Sequence, residues 1–188
     1  MKRLIPVSLF ALLLAAGCMS SNPNDDVTSG TAMAHGPMAM AMLSPTTNQT
    51  ARGMVHFTEL GDGAVRVDVD LTNVPPGTHG FHVHEKGDCG NDAQNAGGHF
   101  NPLMMPHGGP DADAHHAGDF GNVTADAAGN VKMSFTTHSI TVGDGPKSVV
   151  GHAIVLHGNA DDLKSQPAGN AGPRIACGVA EAMAGMQH

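Results

Sequence analysis

His82 and His84 flank a single valine in a run that reads as a β-strand, and residues two apart on a strand point to the same face. Two imidazoles placed this way can reach one ion. Further histidines follow in short, glycine- and proline-bearing segments: Gly98-His99-Phe100-Asn101-Pro102, His107-Gly108-Gly109-Pro110, His116-Ala117-Gly118-Asp119 and Val155-Leu156-His157. The chain carries 13 His against 9 Lys and Arg together, and imidazole is the commonest protein ligand for zinc and copper. Metal binding is the first chemistry these residues offer.

These segments, with Arg174 and Cys177-Gly178 downstream, resemble the copper/zinc superoxide dismutases from roughly Ala39 to Ala180. The resemblance implies an all-β Greek-key barrel or sandwich of about eight antiparallel strands, with long metal-binding and electrostatic loops. It assigns copper to His82, His84, His99 and His157, and zinc to His99, His107, His116 and Asp119, so that His99 bridges both ions through its two ring nitrogens. Three imidazoles and a carboxylate suit tetrahedral zinc, while four nitrogens suit Cu(II). The resemblance also implies a Cys89–Cys177 disulfide, an Asp161 that links a copper ligand to a zinc ligand, and an Arg174 that guides an anion. The implied activity is disproportionation of superoxide to dioxygen and hydrogen peroxide, with Arg174 and His99 as the catalytic side chains. A non-catalytic copper-binding or copper-delivery module of the same fold is the alternative reading. Such relatives usually lack one copper ligand or the arginine.

Several residues can be weighed on their own chemistry. A guanidinium near the open face of a bound cation attracts and hydrogen-bonds an anion, which is the role open to Arg174; Lys164 is a further candidate for steering. A carboxylate at Asp161 can orient imidazoles and fix their tautomers. His115 adjoins His116, but only His116 begins the His-x-Gly-Asp pattern, so His115 reads as a solvated loop residue. His56, His79, His138 and His152 match no ligand role and read as surface or partly buried histidines. Cys89 follows His84 by five residues, as in bacterial members of the family, whereas Val149-Val150-Gly151 resembles the eukaryotic dimer face. A homodimer is therefore open.

The elements that must position these side chains are strands. Val65, Val67, Val69 and Leu71 alternate with Arg66, Asp68 and Asp70, the period of a strand with one wet face. Similar runs occur at Gly53 to Glu59, His79 to Glu85, Val131 to Thr137, Val149 to His157 and Arg174 to Ala180, with turn residues between them. Met38, Met40 and Met42 alternate with Ala39 and Ala41, which suits a first strand with Met filling one face. The same methionines with His35 offer soft ligands for Cu(I).

Composition agrees with this reading. The chain has no Trp or Tyr, 25 Gly and 12 Pro, favouring strands joined by shaped loops. Its formal charge of -8 offers no basic surface to a phosphate backbone, which excludes nucleic acid as a partner. Lys2 and Arg3 precede an apolar run from Leu4 to Ala16, the pattern of an export signal over residues 1–17. Leu14-Ala15-Ala16-Gly17-Cys18 resembles a bacterial lipoprotein processing box, which implies lipidation at Cys18 and a membrane-anchored protein of the periplasm or cell envelope. Ordinary signal cleavage to a soluble periplasmic form is the alternative. Residues 18–37 read as a lipidated start and flexible tether, 38–182 as the single domain and 183–188 as a flexible tail.

Overall fold

A computed structural model describes residues 36–184. The export signal, Cys18, the tether to residue 35 and residues 185–188 lie outside the described residues.

The chain forms eight strands: β1 (Met38–Pro45), β2 (Arg52–Glu59), β3 (Val65–Thr72), β4 (Gly77–His84), β5 (Asp119–Ala125), β6 (Val131–Thr137), β7 (Ala153–His157) and β8 (Arg174–Ala182). They make one sheet in the order β5-β4-β7-β8-β1-β2-β3-β6, and every neighbouring pair is antiparallel. Phe120 of β5 and Phe135 of β6 meet across the seam with ring centroids 5.3 Å apart, so the sheet curls into a nearly closed barrel. The pairings β3–β6 and β4–β7 skip over intervening chain, as Greek-key connections do. The all-β expectation holds, and a single 3₁₀ turn at Gln94–Ala96 is the one helical element among the described residues.

The two halves of the sheet are built differently. On β3, Val65, Val67, Val69 and Leu71 are buried and the residues between them are wet or partly so, as the alternation predicts. On β1 it is Ala39 and Ala41 that face the core, and Met38, Met40 and Met42 face outward. The pairing explains this: Ala39 stands opposite Phe57 and Ala41 opposite Val55, so large side chains from β2 fill the space that the alanines leave.

On β4 every residue from His79 to His84 is buried, as is every residue of β7. Phe81, Val83, Ile154 and Leu156 join the main core, each contributing about 1.5–3 kcal/mol by burial. The opposite face of these strands is covered by the long loops, and there His82 and His84 lie. Val149 to His152, expected as strand, instead forms the turn before β7. Strand β5 had no clear signal, because Gly121 and Asn122 interrupt its alternation.

Candidate metal centre

Strand β4 places His82 and His84 on its loop-covered face, and β7 ends at His157. The ladder shifts register at His82 in the β4–β5 pairing and at His157 in the β7–β8 pairing; such irregularities re-aim side chains. His99 comes from the loop between β4 and β5 and bridges back to His84 by a single β-ladder contact. His107 and His116 follow on the same loop, and Asp119 opens β5.

Two groups of donors result. His82, His84, His99 and His157 each offer a ring nitrogen, all within 4.8 Å of one another, and so do His99, His107 and His116 with a carboxylate oxygen of Asp119. His99 belongs to both, and every member is buried.

Hydrogen bonds fix which nitrogen of each ring faces inward. His82 donates from Nε2 to Asp161 Oδ2 at 2.8 Å, leaving Nδ1 as the lone pair. His84 donates from Nδ1 to the Gly97 carbonyl at 3.0 Å, and His157 from Nδ1 to the Gly172 carbonyl at 3.3 Å. Their Nε2 atoms then face each other at 3.3 Å. His107 donates from Nε2 to Asp161 Oδ1 at 3.0 Å, so Asp161 stands between one ring of each group.

In the second group the Nδ1 atoms of His99, His107 and His116 lie 2.7, 3.1 and 3.2 Å from Asp119 Oδ1. Ligands at about 2.0 Å from a tetrahedral zinc are separated by about 3.3 Å, close to these spacings. The other carboxylate oxygen of Asp119 accepts the amides of Gly108 and His116 at 3.1 and 2.8 Å.

The arrangement leaves buried ring nitrogens without a partner from the protein, as donors to a cation would be. His82 Nδ1, His99 Nε2, His107 Nδ1 and His116 Nδ1 are buried and lack any hydrogen-bond partner, a costly state for a polar atom. Burial pushes His82 down to about 4, against the opposing hydrogen bond to Asp161, and pushes His157 down to about 3. Burial, with His99, His157 and Arg174 nearby, holds His84 well below the ordinary histidine range. Neutral imidazole is the form that ligates metal. For Asp119, burial alone would raise the carboxyl, but hydrogen bonds from His99 and from the His116 and Gly108 amides hold it well below the usual carboxylate range. The donor sets therefore fit two ions, one among imidazoles alone and one with a carboxylate.

Arg174 opens β8 opposite His157. Its guanidinium donates to the Gly97 carbonyl at 2.6 Å and to the Ala93 carbonyl. Gly97 thus receives both His84 and Arg174, which fixes the cation beside the four-histidine group. The loop supplying these carbonyls is tied down by the Cys89–Cys177 disulfide, with Cα atoms 5.8 Å apart. Lys164 contributes its backbone amide to Asp162 in an exposed turn.

Three of the remaining histidines serve as supports. His79 is buried between the carbonyls of Pro75 and His157 at 2.7 and 2.8 Å. His152 packs on Phe100 with centroids 4.0 Å apart and reaches the His84 carbonyl. His115 Nδ1 donates to the His116 carbonyl at 2.7 Å.

Three positions carry site functions that no sequence spacing marks. Asn122 holds the backbone of Asp161 from both sides, accepting its amide at 2.8 Å and donating to its carbonyl at 3.0 Å. Gln166 clasps the backbone of His107 in the same way, at 2.9 and 2.8 Å. Gly169, at φ +64°, packs so close that a Cβ there would collide with the Asp161 carboxylate and crowd His107.

An antiparallel barrel whose outer loops gather two adjoining donor sets around one shared imidazole defines a two-metal protein of the copper-and-zinc type. The family described as copper/zinc superoxide dismutase (SODC) matches residues 51–180, and the chain belongs to that family. Its members bind copper and zinc, the two ions the donor sets accommodate. Among solved structures, the crystal structure of the clock protein EA4 is similar, with a TM-score of 0.71 and 40% identity, over 78% of this chain and 94% of that one.

Proposed function

We propose that this domain converts superoxide to dioxygen and hydrogen peroxide, with copper held by His82, His84, His99 and His157 and zinc by His99, His107, His116 and Asp119. Bound copper supplies the one-electron couple that takes an electron from one superoxide and returns it to a second. The observation that carries the reading is the shared ring: His99 presents Nδ1 to the carboxylate group of donors and an unpartnered, buried Nε2 to the other.

The protein's own side chains supply the rest. The Arg174 guanidinium, fixed by two backbone carbonyls, draws the anion to the four-histidine group and orients it. Nε2 of His99 is the atom suited to hold a proton between the two halves of the cycle, because its Nδ1 is committed on the other side. Asp161 keeps His82 and His107 in the tautomers that leave their Nδ1 atoms as donors. The rival reading, a copper-binding module without turnover, gains no support here, since all four ring nitrogens and the arginine are in place.

We place the protein in the periplasm or cell envelope, tethered through lipid at Cys18 and protecting that compartment from superoxide. Lys2, Arg3, the apolar run to Ala16 and the box ending at Cys18 support this. The test is superoxide turnover with copper and zinc content determined on the same sample. Arg174→Ala is expected to slow turnover about tenfold or more, with copper content unchanged. A metal-loaded wild-type domain that is inert toward superoxide would overturn the reading.

A further inference from the structure

The outer face of β1 and β2 holds three thioethers and an imidazole in one block, none of them a member of the two donor groups described above. Met40 stands directly opposite His56, and Met42 directly opposite Met54. Within each strand the two residues are two apart, so all four share a face, while Ala39, Ala41, Val55 and Phe57 between them are fully buried. Side chains in such opposed pairs start from Cβ atoms about 4.5–5.5 Å apart, within reach of flexible thioethers around a common point.

These methionines are not core fillers: Met42 is 64% and Met54 41% exposed. Met133 joins Met54 and His56 along the same groove. Asp68, the next residue across from His56, is committed to Arg66 at 2.9 Å, so no carboxylate claims the imidazole. Glu181 stands opposite Met40 on β8, adding negative charge that favours a cation. Thioethers with an imidazole select a soft monovalent ion over zinc or Cu(II).

We propose that Met40, Met42, Met54 and His56 bind one Cu(I) ion, a site separate from the two donor groups described above. The inference does not depend on the dismutase reading. A chain loaded with copper and zinc, titrated anaerobically with Cu(I) against a chromogenic Cu(I) chelator, is expected to take up one further equivalent, with the Met40, Met42 and Met54 methyl resonances shifting. The near-isosteric M40L/M42L/M54L variant, altered only on the outer face, is expected to bind that equivalent about tenfold more weakly or worse, with superoxide turnover unchanged. Absence of the extra equivalent, or its persistence at full affinity in the triple variant, would overturn the proposal. A wild-type chain that takes up the extra Cu(I) but, fully loaded with copper and zinc, does not turn over superoxide would instead count against the dismutase reading alone.

Discussion

The four-histidine group and the group containing Asp119 share a ring but are built from different material. The first takes three of its rings from strands β4 and β7 and the loop-borne His99, and it has no carboxylate among its donors. The second takes three donors from a single loop and the fourth from the first residue of β5, and one carboxylate oxygen faces all three imidazoles. Strands fix the first group through the ladder; hydrogen bonds to the backbone of the loop fix the second. The group beside Arg174 thus has no carboxylate among its donors, while the fixed carboxylate charge is confined to its neighbour.

Opening the Cys89–Cys177 bond should have the largest effect and should separate the two groups. The bridge spans 88 residues, so Cys89→Ala with Cys177→Ala should destabilise the domain by about 4.5 kcal/mol, measured by denaturant unfolding. Because the released loop carries the Ala93 and Gly97 carbonyls, metal affinity should fall at the four-histidine group and hold at the other. Equal losses at both would erase the distinction. Next comes Asp119→Ala, which should weaken zinc by more than the roughly 100-fold seen for outer contacts, read by chelator competition, with copper binding largely retained.

Smaller changes sharpen the contrast further. Asp161→Asn and Gly169→Ala should each cost about 10–100-fold in metal affinity. Asp161→Asn acts on both groups, whereas Gly169→Ala is expected to disturb the His107 side more; titration of each metal separately checks this. Acid tests the metal-free fold. In the unfolded chain histidines take up protons near 6.5, whereas in the fold His82 and His157 resist protonation until about 4 and about 3. The unfolded state therefore binds more protons across that window. The metal-free domain should lose stability as pH falls below 6.5, at up to about 1.4 kcal/mol per pH unit for each group. A thermal midpoint that is flat from pH 7 to pH 4 would contradict it.

Much of this was legible in the residues. The alternation from Val65 to Leu71 specified both the strand and its buried face, and the histidine segments named the donors that the fold gathers. Strand β5 was not legible, because Asn122 breaks the pattern in order to hold Asp161, whose partner segment lies 39 residues away. Gln166 and Gly169 were silent for the same reason: their roles exist only once two loops meet. The facing of β1 was also beyond the sequence, since Met and Ala alternate equally well either way up. Only the Phe57 and Val55 side chains across the ladder decide that alanine goes inside.

Asp161 touches a ring from each pocket, and that single carboxylate makes occupancy at one a quantity the other can register. Any factor by which filling the first changes affinity at the second must apply in reverse by the same factor, because the two events close one thermodynamic cycle. The order in which the ions are supplied can alter how fast the pair assembles, but never the final balance between them.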